Sequence, residues 1–305
     1  MDQQFDSASW CSYGSVLQGP NALAGAIAYY DQLLTNHPDL YEIWTYRAYA
    51  LEHLKQFEEA LANFDQALKV NPEFALAWHG KGIVQAKLNR YEEALVCLDR
   101  TVKLAPQDAK AWYNRGNALT HLQRFEEALS SYNRVIELFP NDYKAWYNRS
   151  KTLTNLGYLY ASLSSLDKVL EIKPDCHYAW NYRGTILKRL AKFEDAIASF
   201  DQSLQIKPNN PDAWYNKARC YALQGDAKSA LQYLHQAIKL NPGVYLALAK
   251  SDADFHDIQN TPQFRHLFQP RQKKAIAPSS QHSNRYNNHC QTIVSAHVFD
   301  HQVMS

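Results

Sequence analysis

Residues 109–142 read AKAWYNRGNALTHLQRFEEALSSYNRVIELFPND. Phe125, Leu129, Tyr132 and Ile136 in its second half fall at i, i+4, i+7 and i+11, the apolar stripe of an amphipathic helix. Pro140 stops that helix, because proline lacks an N–H and restricts the residue before it. Gly116 and Ala128 are small, so a helix in the first half can approach the second closely. The stretch therefore describes two antiparallel helices joined by a short turn.

Working outward, the same stretch recurs. Trp10, Trp44, Trp78, Trp112, Trp146, Trp180 and Trp214 are each 34 residues apart, and Pro38, Pro72, Pro106, Pro140, Pro174, Pro208 and Pro242 keep the same step. Two residue types locked to one period define an internal repeat. Placing Trp at position 4 and Pro at position 32 gives seven units: 7–40, 41–74, 75–108, 109–142, 143–176, 177–210 and 211–244. Position 20 is Ala in six units and Ser162 in the fifth, and position 8 is always Gly, Ala or Ser. One helix pair cannot bury its own apolar face, so stacking of units supplies the core.

The pattern is similar to that of the tetratricopeptide repeat family, with the string AWYNRGNAL at 111–119. The resemblance spans 7–244. It implies an all-α, right-handed α-solenoid whose first helices line a concave groove and whose second helices face outward. Residues 245–268 leave the repeat but keep Leu246, Leu248, Ala249, Phe255, Ile258, Phe264 and Leu267, and resemble the closing helix that caps such arrays. Residues 269–305 are rich in Gln, His, Asn and Ser without periodicity and are expected to be a disordered tail.

Composition excludes several classes. The net charge of the 305 residues is +2. The tail carries +3 of it and leaves −1 for the rest, which argues against a nucleic-acid binder. No run approaches the ~18 apolar residues of a membrane span. The first ten residues show neither a basic nor an apolar region of a secretory signal, and five cysteines without a CxxC pair argue against disulfides or a zinc ribbon. The expected location is cytoplasmic.

Three features imitate chemistry. Glu58/Glu59, Glu92/Glu93, Glu126/Glu127 and Glu194/Asp195 are paired acids, but they recur at positions 18 and 19, the first turn of the second helix, where negative charge suits the helix dipole. A basic ladder at position 7 could be a phosphate track. Position 25 is acidic in the units before, which predicts inter-repeat pairs instead: Asp31–Arg47, Asp65–Lys81, Asp99–Arg115, Asp167–Arg183 and Asp201–Lys217, with Asn133–Arg149 the weakened member. His297 and His301 are four apart in the tail, without a helix to hold them over a metal. No phosphate loop, HExxH or GxSxG occurs, so no catalytic, cofactor or metal residue is assigned.

Function is expected on the groove, at positions 2, 5, 6, 9, 12 and 13 of the first helices. Asn114, Asn117, Asn148, Asn181 and Asn216 offer amides that can grip a peptide backbone, and resemble the asparagine ladder of O-linked N-acetylglucosamine transferase repeats. The ladder is broken by Tyr46, Gly80 and Tyr182 at position 6 of other units. Tyr113, Tyr147, Tyr182 and Tyr215 interleave, supplying contact area at low entropy cost. Lys87, Lys110, Lys144, Lys151, Lys188, Arg189 and Arg219 outnumber Glu42, Glu52 and Asp212. The carboxylate clamp of chaperone-binding relatives is matched in part, by Asn117 and Asn148 in one frame, with Tyr113, Tyr178 and Tyr182 where its cations belong, and by Asn114 and Lys144 in the frame before it, with His79, Ile83 and Asn148 out of place. The expected function is a non-catalytic scaffold, adaptor or assembly factor holding an acidic, extended peptide of a partner protein. Alternatives are single-stranded nucleic-acid binding by tyrosine stacking, a targeting arm for a separate enzyme, and self-association through the thinly covered first unit.

Overall fold

The computed structural model describes residues 20–268. The expected first helix of unit one and the segment 269–305, with its histidines, lie outside the described residues. Helix α1 (Pro20–Asn36) is the second helix of unit one. Six complete pairs follow. They are α2 (Tyr41–His53) with α3 (Phe57–Val70), α4 (Ala75–Lys87) with α5 (Tyr91–Leu104), and α6 (Ala109–His121) with α7 (Phe125–Leu138). The remaining three are α8 (Tyr143–Asn155) with α9 (Leu159–Ile172), α10 (His177–Arg189) with α11 (Phe193–Ile206), and α12 (Pro211–Leu223) with α13 (Ala227–Leu240). Each first helix covers positions 1–13 and each second helix positions 17–30. The architecture is an all-helical solenoid.

Small residues set the distance within a pair. A Cβ added to Gly82, Gly116 or Gly184 would lie 2.9, 2.7 or 2.6 Å from the side chain of Leu98, Tyr132 or Phe200. In unit five the same joint is polar: Ser150 and Ser162 meet at 3.0 Å between hydroxyls, with both residues fully buried.

The Trp–Pro period has one physical cause. The indole Nε1–H of each Trp among the described residues donates to the carbonyl of the Pro six residues earlier: Trp44 to Pro38, Trp78 to Pro72, Trp112 to Pro106, Trp146 to Pro140, Trp180 to Pro174 and Trp214 to Pro208, all within 2.8–3.0 Å. Proline ends the second helix, and tryptophan ties that end to the next first helix.

The seam between units follows the expected charges. Arg47 meets Asp31 at 2.7 Å, Lys81 meets Asp65 at 2.5 Å, and Arg115 meets Asp99 at 2.6 Å. Arg183 meets Asp167 at 3.0 Å and Lys217 meets Asp201 at 2.5 Å. Arg149 takes the neutral Asn133 at 2.8 Å. These contacts set aside the phosphate track. A further regularity is that each arginine uses a second N–H on position 23 of its own unit: Asn63, Ser131, Ser165 and Ser199. The two lysines lack that second arm. Position 23 there is Cys97, which is buried, and Tyr233, whose ring centre lies 4.1 Å from the Lys217 ammonium.

First helices of adjacent units touch (α2 with α4, α4 with α6, α10 with α12), and successive second helices make no comparable approach. The stack therefore curves with the first helices inside. At the C-terminal end the expected closing helix is in fact three short pieces: α14 (Pro242–Ser251), a 3₁₀ turn (Ala253–Phe255) and α15 (Pro262–His266). Tyr245, Ala249, Phe255, Ile258 and Phe264 bury themselves against Ala218, Leu234 and Ile238 of the last unit. Leu248, expected in that apolar set, is 46% exposed.

Candidate peptide-binding groove

Positions 5 and 6 of adjacent first helices meet, which decides what the asparagines do. Asn148 Nδ2 donates to the Tyr113 hydroxyl at 2.8 Å and to Asn117 Oδ1 at 3.3 Å. Asn117 Oδ1 also accepts from the Tyr132 hydroxyl at 2.9 Å. Asn114 Nδ2 lies 3.0 Å from His79 Nε2. His79 is buried; burial lowers its pKa, against the charge of Asp108, whose carboxylate is 3.4 Å from Nδ1. A neutral ring with its proton on Nδ1 satisfies both partners. Asn216 Oδ1 accepts from Arg219 at 3.3 Å, and Asn181 Oδ1 is buried without a hydrogen-bond partner among the described residues. The amides of Asn114, Asn117 and Asn148 are rungs between helices, so their expected two-handed grip on a backbone is reduced. Asn114 and Asn148 keep an unpartnered Oδ1, and Asn117 an unpartnered Nδ2, among the described residues.

The tyrosines are semi-buried and protonated. Burial, with the Asp142 charge, pushes the Tyr113 phenol up to about 12. Tyr147 packs edge-on against Tyr178 and Tyr182, with ring centres 4.9 and 5.9 Å apart, and burial raises its phenol too.

The cations divide into two groups. Lys87 pairs with the buried Glu52. At the far end the chain's own 3₁₀ turn reaches the wall. Lys188 meets Asp254 at 2.5 Å, and Arg219 Nε meets Asp254 at 2.7 Å and Asp252 at 3.0 Å. The Tyr215 hydroxyl donates to Asp252 at 2.7 Å, and Phe255 packs on the Tyr215 ring with centres 5.6 Å apart. Lys188, Arg219 and Tyr215, expected to face a partner, thus hold an acidic segment of the same chain. Lys110, Lys144, Lys151 and Arg189 have no ion-pair partner among the described residues, and all four lie on units four to six.

Asp252 and Asp254 are the residues the sequence reading missed. A signal was present: Asp254 lies 35 residues after Arg219, the same separation as His79 and Asn114 or Tyr113 and Asn148.

Equal helix pairs, stacked in one register around a polar inner wall, define a solenoid repeat protein. The tetratricopeptide repeat models match residues 41–74, 81–143 and 190–251, together just over half of the sequence. The chain belongs to the tetratricopeptide repeat family. A protein prenyltransferase alpha subunit repeat model also matches, at 23–54 and 159–190. Both of those matches take a second helix with the following first helix, the pair across a seam. Solved structures with the same fold include YrrB, described as a TPR protein with an unusual peptide-binding site, at 24% identity over 61% of this chain and 96% of that one, TM-score 0.53. The C-terminal part of a TPR repeat-containing protein from Cytophaga hutchinsonii is 17% identical over 79% of this chain and 98% of that one, TM-score 0.65. PilF of Pseudomonas aeruginosa is 17% identical over 78% and 98%, TM-score 0.56. No curated protein matches the sequence. Among the described residues no helix is long and apolar enough to cross a membrane, and no group of three metal-binding side chains occurs.

Proposed function

We propose that the protein is a non-catalytic scaffold or assembly factor that holds an extended acidic segment of a partner protein against the inner wall of units four to six. One observation carries this reading: the wall already binds an acidic segment, Asp252 and Asp254 of the chain itself, through Lys188, Arg219 and Tyr215. The neighbouring Lys110, Lys144, Lys151 and Arg189 supply like charge without a matching acid. The solenoid is preformed, so little ordering cost falls on the receptor side. Cys97, Cys176 and Cys220 are unbridged, in keeping with the cytoplasmic location expected of it.

Fluorescence polarisation with acidic and basic peptide libraries tests the proposal. Acidic peptides are expected to bind, to weaken with added salt, and to lose about tenfold or more in affinity when Lys110→Glu and Lys144→Glu are combined. Preference for basic peptides, or binding indifferent to salt and to both substitutions, would refute it.

A further inference from the structure

The wall contains one residue pair twice. In unit seven, Tyr215 and Arg219 occupy positions 5 and 9, and the Arg219 guanidinium lies 5.9 Å from the centre of the Tyr215 ring. In unit five, Tyr147 and Lys151 occupy the same positions, and the Lys151 ammonium lies 6.0 Å from the centre of the Tyr147 ring. The other described units carry Thr45/Tyr49, His79/Ile83, Tyr113/Asn117 and Asn181/Thr185 there. At positions 5 and 9, a tyrosine under a cation is therefore not a property of the repeat but of these two units.

The two pairs differ in what answers the charge. Arg219 has two carboxylates, and the Tyr215 hydroxyl donates to one of them. Lys151 has neither an ion pair nor a hydrogen bond among the described residues, and the Tyr147 hydroxyl has no hydrogen-bond partner there either. Lys151 is half-buried, and burial lowers its pKa. Its neighbour His121 is pushed down by burial and by the Lys151 charge itself, so that ring adds no second cation. A partly desolvated ammonium without a counter-charge is less favourable than one that has it. A ligand carboxylate would supply the missing charge.

We infer that Tyr147 and Lys151 form the anchor for one aspartate or glutamate side chain of the partner segment, as Tyr215 and Arg219 receive Asp252 and Asp254 within the chain. This rests on the acidic-segment reading above and assigns its central contact. One O–H and one ammonium match the two oxygens of a single carboxylate; a phosphate dianion calls for more donors. T-shaped packing with Tyr178 and Tyr182 holds the Tyr147 ring in place, so the donor is positioned before the ligand arrives.

The test uses the full chain and a labelled peptide of the sequence Lys-Ser-Asp-Ala-Asp-Phe-His, that of residues 250–256, with a twin in which both aspartates are asparagine. The acidic peptide is expected to bind at least about tenfold more tightly than its twin, Lys151→Met to remove about tenfold, and Tyr147→Phe about threefold, as for charge-assisted hydrogen bonds. Lys151→Met keeps the fold, because it removes an unpaired charge and retains the stem, and an unchanged melting curve verifies this. If the acidic peptide binds and Lys151→Met leaves it unaffected while Lys110→Met or Lys144→Met weakens it, the anchor is wrong and the acidic-segment reading stands. If the two peptides bind equally, both fail. Tighter binding of a peptide with phosphoserine in place of both aspartates overturns the carboxylate assignment.

Discussion

The seam between repeats and the wall of the groove use the same cations in opposite ways. Along the seam, position 7 is satisfied in every described unit, by an acid or an asparagine of the unit before and often by a hydroxyl of its own. Along the wall, cations are satisfied at both ends, by Glu52 and by Asp252 with Asp254, and left without a partner in the middle. A charge repeated with its partner holds the stack together. A charge repeated without one is left for the acidic segment proposed above.

Opposite responses to the same change would sharpen this contrast. Arg115→Met removes the guanidinium from Asp99 and from Ser131, which keeps its bond to the Glu127 carbonyl, and is expected to cost about 2 kcal/mol, the usual worth of hydrogen bonds made by a charged group. Lys151→Met should leave stability unchanged or slightly raised. Equal losses in thermal melts of the two variants would abolish the distinction between seam and wall.

The next effect is at the closed end. Asp252→Asn with Asp254→Asn should loosen the cap by about 1 kcal/mol, the usual worth of such partly exposed contacts. It should also release Lys188 and Arg219, so that peptide titration by calorimetry counts a second acidic site. Unaltered stoichiometry would mean that the turn does not compete for the wall. Acid does the same reversibly. Burial raises the Asp254 carboxyl, but the hydrogen bonds and charges of Lys188 and Arg219 outweigh it and hold the pKa below its ordinary value. The contact is then fully stabilising above the unfolded carboxylate value of about 4 and is lost as pH falls through the lower folded value.

The smallest effect is a gain. Asn133→Asp supplies Arg149 with the charge its siblings have and should add about 0.3–0.5 kcal/mol, diminishing with salt. A loss of stability would show that the seam is tuned to that neutral member.

The seam was legible in the sequence because its partners are sixteen residues apart and recur, so periodicity alone pairs them. The solenoid followed from tryptophan and proline for the same reason. The cap was not legible as it stands, because it occurs once. Apolar spacing in 245–268 pointed to one helix, whereas Asp252 and Thr261 cap new turns and break it into pieces. The commitment of the asparagines was hidden for another reason. Their partners, His79 and Tyr113, sit at one repeat position but differ in type, so no single residue pattern repeats across the helices.

The indole-to-proline tie makes the polypeptide modular in an exact sense. Removing residues 109–142 would join Asp108 to Tyr143, leaving Trp146 six residues after Pro106 and Arg149 sixteen after Asp99. Every surviving joint would find a mate of the right kind, and one formerly neutral seam would become charged. The length of the inner surface is thus a quantity that can be shortened by one rung at a time without redesigning the junctions.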